Sequence, residues 1–224
     1  MLSSSTLLTP AFFNRDPRRV ARALLGKVLI RKTPRGVLTG RIVETEAYLG
    51  LGDAASHTAP GKTARNAVLF GPPGIAYVYF IYGNHYCLNV SCLPDGVPGG
   101  VLFRAVEPLV GIETMARTRG IHLSTTDNGS LDLQSVPDRK RLLCLRNIGS
   151  GPGRMAEAFG ITRVRDNGKN LTSSRSDLRI VDDGYRVRRI AVGPRVGITK
   201  SANELLRYGI ANNPFVSVPT ATLH

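Results

Sequence analysis

Along residues 27–48 apolar and polar positions alternate. "KVLIRK" (27–32) and "VLTGRIVETEAY" (37–48) flank "TPRG", so the pattern predicts two strands around a turn. Just upstream, "RDPRRVARALLG" (15–26) spaces its apolar residues by three and four. Asp16 suits the cap, Pro17 the first turn and Gly26 the stop, which predicts a short helix. Residues 49–74 follow neither period and are rich in Gly, Pro, Ala and small polar residues. A long irregular connection of this kind within a compact domain is often functional. Alternation resumes at 75–82 and 86–92, on either side of Gly83-Asn84, and again at 100–108. Helices are expected at 110–118 and 137–146, and "GSGPGRMAEAFG" (149–160) reads as a turn opening into a short helix. The remaining pattern predicts strands at 178–181, 187–192 and 214–218 and a helix near 201–208. No repeat, low-complexity tract or linker divides the chain. The expectation is an α+β fold: a single domain over 1–224, a curved, mainly antiparallel β-sheet with surrounding helices, residues 1–9 and 219–224 being peripheral.

Composition narrows the class. The 224 residues are 42% hydrophobic, enough for one substantial core. No apolar run approaches the ~18–20 residues of a membrane span. The first residues lack both the basic region and the cleavage site of a signal peptide. Cys87, Cys92 and Cys144 cannot pair completely, and none stands at zinc-ligand spacing, so free thiols in a cytoplasmic protein are expected. Thirty Lys and Arg oppose sixteen Asp and Glu, a net charge of +14, and residues 139–200 carry fifteen of the former against five of the latter. That bias points to an anionic partner, nucleic acid foremost. An anionic membrane fits less well without a long basic amphipathic helix, and a solvated basic surface is the plain alternative.

Four of the seven tyrosines, Tyr77, Tyr79, Tyr82 and Tyr86, fall within "YVYFIYGNHYCLNV" (77–90), a strand, a turn and a second strand. Such rings can stack on nucleobases, each contact being worth roughly 1–3 kcal/mol. In "GRIVETEAYLG" the alternation puts Glu44, Glu46 and Tyr48 on one face of a strand, either a solvent face or a site. A partly desolvated carboxylate there could activate water. "FRAVEP" sets Arg104 in an apolar strand, where it needs an anionic partner; Glu46 is a candidate, and a purely structural ion pair is the alternative. His57 lies in the 49–74 connection, and Asn89 is an amide among apolar residues. Either could serve a ligand or the fold alone. "GSGPGR", with Arg154, could hold phosphate at a helix start or simply turn the chain. Duplex chemistry on a base requires its extrusion, and a ring at a turn tip such as Tyr82 could fill the gap.

In combination, "GRIVETEAYLG", "YVYFIYGNHYCLNV" and "LFRAVEP", with "GSGPGR", "PRVGI" and "NPFVSV", closely resemble the mammalian-type alkyladenine (3-methyladenine) DNA glycosylases, over about residues 10–218. The resemblance implies a monofunctional enzyme that flips alkylated or deaminated purines out of duplex DNA. It hydrolyses the N-glycosidic bond without cofactor, metal or covalent intermediate. It further implies Glu46 as general base, Arg104 holding the water and the carboxylate, and the Val196 carbonyl completing the water site. Tyr48, His57 and Tyr79 become the base pocket, Asn89 the screen against guanine, and Tyr82 with His85 the wedge. Lys62, Arg65 and Arg154 become phosphate contacts. His85 replaces an aromatic or bulky apolar residue of the mammalian enzymes, and the loop bearing Lys62 is one residue shorter than theirs. The expected protein is a compact bacterial-type monomer whose partner is damaged double-stranded DNA, with no membrane association. The alternatives are a non-catalytic damaged-DNA-binding protein of the same fold, and a lyase acting through Lys62 or Lys200. No helix-hairpin-helix motif precedes a suitable acid.

Overall fold

The alternation of residues 27–48 becomes an antiparallel hairpin, β2 (Val28–Thr33) and β3 (Gly36–Tyr48). This is a computed structural model, and it describes residues 5–81, 83–122 and 138–218. Among them lie nine strands in one curled antiparallel sheet and six helices, in agreement with the α+β expectation. β3 is the spine. On one edge it pairs along most of its length with β6 (Gly100–Val110). On its other edge β2 pairs with the first half of β3, and β9 (Arg207–Ile210) takes over at Glu44–Glu46. β6 continues into β5 (His85–Ser91) and β5 into β4 (Ala76–Ile81); β7 (Leu178–Asp182) and the short β1 (Thr6–Leu7) extend the far side beyond β2. β8 (Ile190–Gly193) pairs only with β9.

The helix expected at 15–26 is α2 (Pro17–Leu24), preceded by the single turn α1 (Pro10–Phe13). The Asp16 carboxylate accepts the Arg18 N–H at 2.8 Å, satisfying one orphan donor of α2's first turn. Pro17, Val20, Ala21 and Leu24 form its buried stripe, which packs on the face of β3 that carries Thr45; the Thr45 hydroxyl donates to Ala21 O at 3.0 Å. The main core, with Leu24, Ile42, Phe103, Val106, Met155 and Phe159, also receives α3 (Ile112–Thr118), α4 (Asp138–Gly149) and α5 (Pro152–Ala158). α6 (Arg163–Asp166) is one turn capped by Thr162. A second, smaller apolar cluster gathers Leu69, Tyr77, Tyr79, Cys87 and Leu102 with Tyr48.

Two sequence expectations fail, for one reason. Residues 201–206 form turns, not a helix, and give way to β9, because Arg207 is drawn to Glu44, with 2.8 Å between Nη1 and Oε1. Residues 214–218 form no strand. Their backbone is held by side chains instead: Ser217 N–H donates to Glu44 Oε2 at 2.8 Å, and Arg146 Nη2 donates to Val216 O at 3.1 Å. A local pattern yields here to buried charge seeking partners.

Candidate active site

Opposite the Thr45 face, Glu44 and Glu46 leave β3 with fully buried side chains and meet Arg104. The register explains the meeting. Glu46 stands opposite Leu102 and Glu44 opposite Ala105, so Arg104 has no Cα partner on β3 and forms a bulge. A bulge kinks the strand and re-aims the extra side chain. Arg104 thereby lies between the two acids, 3.1 Å (Nη1) from Glu46 and 3.6 Å (Nε) from Glu44. Its carbonyl accepts the Gly151 N–H at 3.0 Å, which docks the start of α5 beside the acids. Arg207 supplies a second cation to Glu44, so the cluster brings together two carboxyl groups and two guanidiniums.

Glu46 has three further neighbours of consequence. The Val196 N–H donates to its Oε1 at 2.8 Å, the Tyr48 hydroxyl donates to its Oε2 at 3.0 Å, and Leu102 pairs across the sheet. Burial pushes the Glu46 carboxyl above the ordinary range; Arg104, the Val196 N–H and Tyr48 pull the other way without cancelling it. Burial, followed by the negative Glu46, pushes the Tyr48 phenol up, so Tyr48 stays protonated and donates.

The partners of Glu46, though not Glu46 itself, border a cavity of about 500 Å³, within the size range of small-molecule sites. Tyr48, His57, Tyr79, Asn89, Arg104 and Val196 all line it. The rings of His57 and Tyr79 meet edge to face at 4.5 Å, and Tyr79 stacks on the buried Tyr77 at 5.3 Å. His57 Nδ1 lies 3.0 Å from the Tyr77 hydroxyl. One edge of the imidazole remains open, yet packing on the tyrosines lowers its affinity for a proton, and the Arg65 cation lowers it further, so the ring is neutral at neutral pH. Burial lifts the Cys87 thiol, also in the lining, to about 11, which keeps it a thiol. Asn89 is 5% exposed, and its Oδ1 is buried with no hydrogen-bond partner.

The 49–74 connection holds His57 in place without regular structure beyond one 3₁₀ turn at Ala67–Phe70. Buried Asn66 pins it, donating from Nδ2 to His57 O (2.8 Å) and Gly61 O (2.9 Å) while Oδ1 accepts the Thr63 N–H (2.7 Å). Asp53 accepts the N–H groups of Leu49 and Ala55 and forms a two-pronged pair with Arg195 (2.5 and 2.8 Å). Arg195 also donates to Ala47 O at 3.1 Å and lies 4.7 Å from the Tyr48 ring centroid.

The other expected site residues fall as follows. His85 lines the cavity next to Gly153, and Arg154 lines its rim with Nη1 donating to Asn147 Oδ1 at 3.2 Å. Tyr82 lies outside the described residues; its neighbours Ile81 and His85 both reach the cavity. Arg65 is exposed and close enough to act on Tyr77 and His57. Lys62 is exposed and outside the lining. For Val196 the observed contact to Glu46 is its N–H. Sequence reasoning missed Asp53, Asn66, Tyr77, Arg195, Arg207 and Ser217. Arg195 stands inside "PRVGI" and Asp53 three residues beyond "GRIVETEAYLG", but a pairing across 142 positions has no local signal. Among the described residues no group of His, Cys, Asp and Glu could hold a metal ion, and no helix is long and apolar enough to cross a membrane. The three cysteines are free, two of them buried.

Comparison with known proteins gives a consistent answer. A family model described as methylpurine-DNA glycosylase matches residues 11–214. A protein of Koribacter versatilis is 60% identical over 218 residues, 96% of each chain. One from Burkholderia cenocepacia is 43% identical over 213 residues (95% of this chain, 91% of the relative), and one from Methanocella arvoryzae is 41% identical over 209 residues (92% and 93%). Each of the three carries the name "Putative 3-methyladenine DNA glycosylase".

Proposed function

The chain belongs to the methylpurine-DNA glycosylase family, and on that premise we propose that it extracts alkylated purines, 3-methyladenine among them, from duplex DNA and hydrolyses their N-glycosidic bond. The observation that carries this reading is Glu46: fully buried, its proton held more tightly than usual, and bonded to Tyr48, Val196 and Arg104, three residues that line an aromatic-walled cavity. A carboxylate so placed can take a proton from water. The oxygen of that water bonds to the sugar anomeric carbon as the bond to the purine nitrogen breaks, and its electron pair leaves with the base. The products are a free purine and an abasic site. The transition state is oxocarbenium-like, and the negative charge of Glu46 favours it. Arg104 favours the ionised form of Glu46, being the strongest opponent of its burial.

The cavity supports selection for damage. Alkylation at N3 or N7 makes the purine cationic, so it departs more readily. The rings of Tyr48, Tyr79 and neutral His57 favour a cation over a neutral base by about 0.5–2 kcal/mol. Asn89, in the cavity wall, stands where it can meet the base that enters. Extrusion costs a few kcal/mol. In this reading the turn between β4 and β5 enters the duplex, with Tyr82 taking the vacated place. Arg65, Arg154 and Lys62 meet phosphates around the cavity. Deaminated purines fall within the proposed range, and the enzyme acts as a cytoplasmic monomer.

The test is single-turnover base release from duplexes bearing 3-methyladenine, 7-methylguanine, 1,N6-ethenoadenine or hypoxanthine, with wild type beside Glu46→Gln. Release by the wild type alone is expected, and the relative rates define the lesion range. Tight binding without release from any duplex would instead favour a damage-binding protein. Borohydride is expected to trap no DNA adduct; an adduct would point to Lys200, which flanks a shallow hollow beside His57.

A further inference from the structure

Asp53 and Arg195 do not line the cavity, yet their pair ties together three of the segments that do. The Arg195 side chain is fully buried and its fork is spent: Nη1 on Asp53 and on Ala47 O, Nη2 on Asp53. Ala47 stands between Glu46 and Tyr48, and the next residue after Arg195 is Val196, whose N–H donates to Glu46. Asp53 spends its remaining acceptor capacity on Leu49 and Ala55, at either end of the turn that leads to His57. A planar guanidinium held at three points has one orientation, and the adjoining backbone inherits it. Buried ion pairs are often no more stabilising than an apolar pair of equal size, so stability alone is a poor reason for this one.

We propose that Asp53 and Arg195 are positioning residues for glycosidic hydrolysis, aiming the Val196 N–H at Glu46 and fixing the Tyr48 and His57 segments on the cavity wall. The inference rests on Glu46 being the base. The charged and titratable groups facing Glu46 are Glu44 and Tyr48 from its own strand, Arg104 from β6, Cys87 from β5 and Arg207, its cross-strand partner on β9. All are left intact by substitution at the pair, so an altered acid limb in the pH–rate profile reports the lost N–H alignment.

The experiment compares Arg195→Lys and Asp53→Asn with Arg31→Lys, a substitution in another fully buried pair, Arg31–Asp166 (2.7 Å), whose residues do not line the cavity. At saturating enzyme the first two are expected to lose about 10²-fold in single-turnover rate at pH 7, the scale of a small misplacement of reacting groups. Their acid limb is expected to move to higher pH, because Glu46 loses a donor to its charged form. Affinity for damaged duplex should change less than about tenfold, as for an interaction that matters mainly in the transition state. Arg31→Lys should lower Tm and leave the limb in place. Rates and limbs in the pair variants that track Tm alone, as in Arg31→Lys, would overturn the proposal. If neither pair variant folds, Val196→Pro removes the N–H while leaving both members of the pair in the chain, and an unmoved limb there overturns it equally. A Glu46→Gln control that still excises sinks the base assignment itself. An inactive Glu46→Gln beside unmoved limbs sinks only the role of the pair.

Discussion

Replacing Arg104 with Met removes the cation from between two buried acids while keeping most of the side-chain volume. Its Nη1 stands 3.1 Å from Glu46, so at an effective dielectric of about 20 the attraction lost is about 5 kcal/mol. Water entering the space, and the surviving Val196 N–H and Tyr48 bonds, recover part of it. If about half is lost, ionisation of Glu46 is disfavoured by about 10²-fold, since each 1.36 kcal/mol is a factor of ten, and the rate falls by up to that factor at any pH below the Glu46 pKa. The sign follows from the charge. Burial already holds the Glu46 carboxyl above its ordinary range, and the loss of a cation raises it further. The base is then ionised only at higher pH. Single-turnover release of the fastest-excised lesion, measured from pH 5 to 9 at saturating enzyme, is expected to show the deficit closing as pH rises. Circular dichroism at each pH confirms that the variant is folded. A deficit of equal size at every pH would refute the reasoning, because Arg104 would then act on the water or the sugar and not through the ionisation of Glu46.

Glu46→Gln is expected to raise Tm at pH 7, by about 0.5–2 kcal/mol of stability. Oε1 can still accept from Val196 and Arg104, while the new amide donates to the Tyr48 oxygen. A carboxyl whose folded pKa is raised contributes stability at low pH that is lost as pH climbs past the unfolded value, so the gain should vanish toward pH 4; thermal melts at both pH values decide it, and a fall at pH 7 contradicts the argument. Tyr77→Phe deletes the partner of His57 Nδ1 and should slow excision by about three- to tenfold, the scale of one hydrogen bond; an unchanged rate means that stacking alone holds the imidazole. DNA affinity should fall steeply with salt, log K losing about 0.9 per neutralised phosphate for each decade, and a flat titration would remove the basic face from the binding argument.

The sheet was largely legible, because β2 to β6 announce themselves by alternation and by the turns at Pro34 and Gly83. So were Glu46 and Arg104, since a carboxylate and a guanidinium in apolar strands must find partners. What could not be read was the bulge. Strict alternation puts Glu44, Glu46 and Tyr48 on one face but does not say that Arg104 drops out of register to stand between the acids. The last third of the chain was misread around 201–218 for a related reason. Arg207 and Ser217 are placed by Glu44, which lies 163 and 173 positions earlier, and no window of sequence contains both ends of that bond. The same holds for Tyr77. It was counted among the rings of its strand, but its role as a buried prop for His57 depends on where the 49–74 connection returns.

That connection has a consequence for recognition. Asn66 closes it with three hydrogen bonds, and one of them grips the carbonyl of His57 from behind. The segment is therefore ordered before any duplex arrives, and the entropy of fixing it is lost once, at folding, rather than at each encounter along DNA. An enzyme that must sample very many normal nucleotides for each damaged one gains by this. In the proposed reaction a rejected base would leave a pocket that needs no rebuilding, and the conformational work of each trial would fall on the DNA, where a weakened or damaged pair costs least to open.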